Sequence, residues 1–169
     1  MRIDIYHASK YGNGARVADE LGRLMAAGGN EVSVHHIDEL SPRDIPPADL
    51  YVFGSPTHFG KAPGNIMRFL KKANLPSGAR YAVFATCSAT VPDKKTGRMP
   101  TEEEMEKIRR TIPMLDEQLK AKGMVKVAEM QLFVRPDTMK GPLIDGWQDK
   151  VEQFARLIGT SGGKSTGSI

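Results

Sequence analysis

The chain has a single cysteine, Cys87, among 169 residues, so no disulfide can form within it. That excludes a small secreted scaffold held by cross-links and fits a reducing, cytoplasmic compartment. No apolar run reaches the ~18 residues that a membrane-spanning helix needs, so no span is expected. Asp4 breaks the apolar stretch of MRIDIYHAS, and a signal peptide is not expected either. Neither sign of charge dominates: 24 Lys and Arg against 20 Asp and Glu leave a net charge of +4. The basic side chains are interspersed with acidic ones, and Lys71-Lys72 or Lys94-Lys95 is too short a run to follow a nucleic-acid backbone. No nucleic-acid partner is expected; the surplus suits an anionic ligand or an acidic partner surface. Metal-ligand spacing is missing too, because His35 and His36 are adjacent on a strand pattern and point to opposite faces.

What is present is a regular alternation of two periods. Residues 2–7 (RIDIYH) and 31–36 (EVSVHH) alternate as strands, 50–54 (LYVFG) and 81–86 (YAVFAT) read as strands covered on both faces, and 125–134 (VKVAEMQLFV) as a fifth strand. Between them, Val17, Leu21, Leu24 and Met25 recur at helical spacing up to Gly28-Gly29, and Ile66, Phe69 and Leu70 suggest a helix after Pro63. Thr101 and Glu104 have capping-box spacing. They open a charged helix with the stripe Met105, Ile108, Ile112, Leu115 and Leu119, whose methionines read as core, kinked or interrupted by Pro113 and stopped near Gly123. Trp147, Val151, Phe154, Ala155 and Ile158 mark a last amphipathic helix. Strands joined by helical crossovers pair in parallel, and five of them suit a doubly wound α/β sheet of order 2-1-3-4-5. Residues 1–159 form one expected domain, and 160–169 (TSGGKSTGSI) a flexible low-complexity tail. In such sheets ligands bind beyond the carboxyl ends of the strands, here after residues 7, 54 and 86.

The first of these places is HASKYGNGARVA, residues 7–18, which contains no acidic side chain. A strand-to-helix turn exposes unpaired N–H groups at the positive end of a helix dipole. Gly12 and Gly14 permit close approach, Ser9 adds a hydroxyl, Asn13 adds an amide and tolerates left-handed backbone, and Lys10 adds positive charge. A carboxylate would repel the guest, so the turn reads as an anion cradle. It is not the dinucleotide fingerprint, since Val17 stands where the third glycine belongs. The tail's GGKST is not a Walker loop, because Ile158 replaces its first glycine and no helix follows. A phosphoacceptor domain of the same fold is excluded by His7-Ala8-Ser9 and Ser55-Pro56, where aspartates would be required.

SKYGNG, residues 9–14, resembles the FMN phosphate loop of the flavodoxin family, and Ala18 sits where that pattern has a small residue. The variant with Tyr11 is similar to the WrbA-type NAD(P)H:quinone oxidoreductases. FGSPTHFGKAPGNIMRFL, residues 53–70, resembles the second flavin loop and helix of the same enzymes. The resemblance is strong over residues 1–90. It implies a flavodoxin-like three-layer sandwich holding FMN noncovalently. Ser9, Lys10, Tyr11, Gly12, Asn13 and Gly14 would hold the phosphate, and Pro56, Thr57, His58, Phe59 and Gly60 would meet the N5 side of the ring. By position alone, Thr86, Cys87 and Ser88, with Ala89, would offer N–H groups to its pyrimidine edge. General burial habits favour Phe59 folded onto the core as a loop anchor, His58 solvent-facing without a proton-transfer role, and Cys87 as a packing residue.

An FMN protein of this kind implies an electron carrier cycling the cofactor through oxidised, semiquinone and hydroquinone states, with redox partner proteins. Gly60 would let a carbonyl turn beside the ring. The alternative is a WrbA-like enzyme passing two electrons from NAD(P)H to a quinone, favoured by Tyr11. It is disfavoured by the lack of a glycine-rich, histidine-containing segment after strand 4 and of an insertion in KKANLPSGAR, residues 71–80. A third reading, an interaction module without flavin, rests on the absence of the flavodoxin threonine at Gly14. The basic charge departs from the usual acidity of flavodoxins. Lys10 and Lys61 would then favour the reduced anionic flavin.

Overall fold

A computed structural model describes residues 1–138, 140–160, 167 and 168. Its elements run β1 (Arg2–His7), α1 (Asn13–Ala27), β2 (Glu31–His36), β3 (Leu50–Pro56), α2 (Gly64–Lys72), β4 (Arg80–Ser88), α3 (Glu102–Ile108), α4 (Thr111–Ala121), β5 (Val125–Val134), α5 (Trp147–Thr160) and β6 (Gly167–Ser168). The sheet order is β2-β1-β3-β4-β5-β6, with every pairing parallel. The five expected strands keep their expected order. The sixth, β6, was not foreseen: it falls within the segment read as a tail and pairs Gly167 with Ala128 and Ser168 with Glu129. Residues 161–166 and 169 of that segment lie outside the described residues.

Alternation along the strands divides the interior into two layers. On one face Ile3, Ile5, Val52, Phe84 and Met130 pack against Val17, Leu21 and Met25 of α1 and Val151, Phe154 and Ile158 of α5. On the other, Tyr6, Tyr51, Phe53, Tyr81 and Val83 pack against Ile66, Phe69 and Leu70 of α2 and Leu115 and Leu119 of α4. Gly54 is required where these layers are tightest: it is paired in register with Phe84, and a Cβ on it would stand 2.0 Å from the Phe84 ring.

The charged helix is interrupted rather than bent. Pro113 has no N–H to return to the Arg109 carbonyl, and its ring clashes there, so α3 ends at Ile108 and α4 restarts at Thr111 with Pro113 in its first turn. The capping box at Thr101 and Glu104 forms in both directions. The expectation that the methionines of this helix are core is met only in part. Met114 of α4 packs, partly buried, against the core, whereas Met105 is only half-buried and Ile108 is 56% exposed, because no residue of α3 is buried by the sheet. Helical spacing identifies an apolar face but not whether a neighbour covers it.

Candidate functional site

The carboxyl ends of β1, β3, β4 and β5 open onto one cleft. Its first wall is Ser9, Lys10, Tyr11, Asn13 and Gly14; its second Pro56, Thr57 and His58; its third Thr86, Cys87 and Ser88. Val134, at the end of β5, also lines it and was missed by the sequence reading, although the end of a fifth parallel strand was a signal for it. Gly12, Phe59 and Gly60 do not line the cleft and act on it only through the backbone.

The first wall begins where Ala8 N–H still donates to Gly54 C=O at 3.0 Å, after which the chain leaves the sheet. Ser9 Oγ accepts Gly12 N–H at 3.1 Å, which consumes that donor but leaves the hydroxyl hydrogen available. Gly12 has φ +99°, a left-handed position that favours glycine, and turns the chain into α1. The first intrahelical bond runs from Arg16 N–H to Gly12 C=O at 3.0 Å, so the N–H groups of Asn13, Gly14 and Ala15 precede it and have no protein acceptor among the described residues. No acidic residue lies in this first turn. At Gly14 a Cβ would come within 3.3 Å of Ser9 Cβ, a tight contact that would push the two sides of the turn apart by a few tenths of an ångström.

Asn13 departs from its expected role. It lies in the right-handed first turn of the helix, and its Nδ2 donates to Lys140 C=O at 3.1 Å rather than into the cradle. That bond ties the cradle to the loop after β5, where Gly141 leaves the room that a Cβ, 2.6 Å from Asn13 Nδ2, would take.

The second wall is a tight turn. His58 N–H donates to Lys61 C=O at 2.9 Å and Lys61 N–H to His58 C=O at 3.1 Å. Phe59 and Gly60 between them are both left-handed, with φ +53° and +78°. Phe59 is therefore not a core anchor: its side chain is fully exposed, at 103%, because a two-residue turn aims its tip away from the sheet. Nor is Gly60 free to reorient cheaply. Its carbonyl accepts Arg110 N–H at 2.6 Å, and its Cα lies so near the chain that a Cβ would be 2.4 Å from Ile108 oxygen. Thr57 Oγ1 and Thr111 Oγ1 share a hydrogen bond at 2.8 Å. The α3–α4 junction thus props this loop, a role of residues 108–111 for which the only sequence signal was the break implied by Pro113. His58 is half-buried on the cleft wall rather than solvent-facing. Burial first, then the Lys10 charge, pushes its imidazole pKa below the ordinary value.

On the third wall, β4 continues through Ser88, and Ala89 N–H donates to Val134 C=O at 2.9 Å. Ala89 therefore has no N–H to offer a ligand, contrary to expectation. Cys87 is 8% exposed and its Sγ accepts from Gln131 Nε2 at 3.3 Å. Burial pushes its thiol pKa up, against the opposing influence of Arg109 and Lys150, so it remains a protonated packing residue. Arg109 spans the back of this wall, donating to Thr90 Oγ1 at 2.7 Å and lying over the Phe133 ring at 4.8 Å.

These features fit a phosphorylated flat ring. Unpartnered N–H groups at a helix N-terminus, without a carboxylate, suit a dianion. The two remaining walls, Pro56 to His58 and Thr86 to Ser88, line the same cleft with mixed apolar and hydrogen-bonding groups, as a flat heteroaromatic ring requires. Among the described residues no three His, Cys, Asp or Glu side chains come together as a metal site, and no helix is long and apolar enough to cross a membrane.

A family model for the flavodoxin domain matches residues 5–135. Among solved structures, oxidised flavodoxin 1 from Bacillus cereus superposes with a TM-score of 0.70 at 19% identity, covering 96% of this chain and 100% of that one. The flavodoxin of Streptococcus pneumoniae TIGR4 gives 0.67 at 20% identity over 94% and 98%. Rubredoxin oxygen:oxidoreductase from Desulfovibrio gigas gives 0.65 at 15% identity, covering 93% of this chain but 35% of that one. At these identities the superpositions establish the fold. No curated protein matches the chain.

Proposed function

The chain belongs to the flavodoxin family and is an FMN-binding redox protein, and from that premise we propose that it serves as an electron carrier between partner proteins. When bound, FMN supplies the redox chemistry. The chain's own residues bind, orient and shield it. Ser9 and the N–H groups of Asn13, Gly14 and Ala15 take the phosphate, Pro56 to His58 face one side of the ring, and Thr86 to Ser88 face its polar edge.

The observation that carries the carrier reading is the rim of the cleft. Tyr11, Phe59 and Ile108 are exposed beside it, and Lys10 and Lys61 are exposed with them. Apolar groups with two lysines among them suit transient docking of a partner with an acidic face. The test is an anaerobic reductive titration of FMN-loaded protein with dyes of known potential. Two resolved one-electron potentials support the carrier.

A second reading rests on Tyr11, which lines the mouth of the cleft with Lys10 Nζ 5.4 Å from its ring centroid. By resemblance, that tyrosine belongs beside a nicotinamide nucleotide. A single two-electron wave, with rapid NADPH oxidation once a quinone is added, would replace the carrier with an NAD(P)H:quinone oxidoreductase.

A further inference from the structure

Two histidines lie beneath the first loop without entering the cleft. His7 and His36 are register partners on β1 and β2, and their rings meet edge to face with centroids 5.1 Å apart. His7 Nδ1 accepts Ser9 N–H at 3.3 Å. His36 Nε2 lies 3.0 Å from Ser9 C=O, and its Nδ1 accepts Asp38 N–H at 3.1 Å. The partners fix the protons. A carbonyl only accepts, so His36 Nε2 carries hydrogen. A backbone amide only donates, so His7 Nδ1 is bare. His7 is thus the neutral Nε2–H tautomer, and together the two rings hold the two peptide groups that flank Ser9.

We propose that His7 and His36 are positioning residues for the phosphate loop, and that protonation of His7 releases Ser9 and weakens the grip on the cofactor phosphate. The proposal rests on the reading that residues 9–14 hold that phosphate. A proton on His7 Nδ1 would face Ser9 N–H, donor against donor. Because Ser9 Oγ receives Gly12 N–H, displacement of Ser9 passes directly to the turn that precedes α1. His36 differs. Its Nδ1 lies 3.4 Å from Asp38 Oδ2, so a protonated ring finds a carboxylate while keeping its Nε2–H bond to Ser9. The acid-sensitive step therefore runs through His7.

The charged surroundings set the window. Asp19 of α1 and Glu39 of the turn after β2 favour the cation at His7, and the neighbouring His36 opposes it; Lys10, His58 and Asp38 line a recess with His36. β3 places only Gly54 beside His7. Burial outweighs the carboxylates, and the pKa of His7 falls below its ordinary value. The neutral, gripping form is complete above an ordinary histidine pKa of about 6.5 and is lost as pH falls through the lowered value.

FMN affinity, read by quenching of flavin fluorescence between about pH 8 and pH 5, tests this on the full chain. The phosphate itself protonates near pH 6, so the comparison is between proteins at each pH. His7→Asn keeps an acceptor oxygen at the Nδ1 position but does not titrate. It should bind as the native chain does at the alkaline end and lose less affinity toward the acid end, the gap approaching about tenfold as His7 of the native chain becomes protonated. His7→Leu, lacking the acceptor, should bind about tenfold more weakly at the alkaline end. Nitrogen-15 spectra of the native protein should show the His7 ring as the Nε2–H tautomer at neutral pH, whether or not either variant folds. A His7→Asn profile parallel to the native one, or a His7 ring protonated at Nδ1 at neutral pH, would overturn the proposal. Failure of every protein, the native included, to take up FMN at the alkaline end would overturn the phosphate-loop reading with it.

Discussion

Gly12 and Gly60 have similar backbones and different surroundings, and a pair of alanine substitutions separates the two effects. Both are left-handed, at φ +99° and +78°. An alanine at either pays strain of about 1–2 kcal/mol. At Gly12 the added Cβ meets no atom within 4 Å, so strain is the whole cost. At Gly60 it would stand 2.4 Å from Ile108 oxygen, a backbone atom that moves only if the α3–α4 junction moves. Overpacking adds about 1–3 kcal/mol, and stretching the Arg110 to Gly60 hydrogen bond adds about 0.5–1.5 kcal/mol. The totals are about 1–2 kcal/mol for Gly12→Ala and about 2.5–6.5 kcal/mol for Gly60→Ala. For a domain of this size each kcal/mol lowers Tm by roughly 2–4 °C. Thermal unfolding followed by circular dichroism should therefore place Gly60→Ala below Gly12→Ala, by about 3–18 °C. Equal Tm values for the two variants would show that the junction does not hold the second loop, and the account of residues 108–111 would fail.

Gly54→Ala should cost about 3 kcal/mol in urea unfolding, with partial recovery when Phe84→Leu is added, because the Cβ would enter the Phe84 ring. Lys126 pairs with Asp116 at 2.6 Å and with Glu129 in a largely buried group that also takes the Tyr81 hydroxyl. Lys126→Met removes the cation that bridges two carboxylates and should cost about 3–5 kcal/mol by the same assay. Cys87, its thiol pKa raised, should react with iodoacetamide much more slowly in the folded chain than in urea at mildly alkaline pH; equal rates would refute its burial. Neutralising Lys10 and Lys61 together to Gln should lower the second reduction potential of bound FMN, as both cations favour the reduced anion. An unchanged potential would place them too far from the ring to matter.

Local chemistry was legible in the sequence wherever it decided the outcome. The alternation of RIDIYH and EVSVHH sets strands, Thr101 with Glu104 caps a helix, and Pro113 breaks one, all through interactions within a few residues. The three walls of the cleft were equally legible, since parallel crossovers bring the ends of β1, β3 and β4 together. What escaped depends on segments far apart in the chain. The amide of Asn13 goes to Lys140, the carbonyl of Gly60 to Arg110 and the N–H of Ala89 to Val134. No pattern around residues 13, 60 or 89 announces those partners. The histidine pair is an intermediate case: period-2 reasoning separated His35 from His36, but only the β1–β2 register brings His36 beside His7.

Phe59 leaves the folded chain in a state of local frustration. Its left-handed backbone is unfavourable for a residue with a Cβ, and its fully hydrated ring returns no compensating burial. Natural folds concentrate such unresolved conflicts where something outside the polypeptide relieves them. Covering an aromatic ring of this size removes on the order of 150–200 Å² from water. At about 25 cal/mol per Å², that is a reservoir of several kcal/mol held at the mouth of the cleft, and it falls to whichever molecule settles over that one side chain.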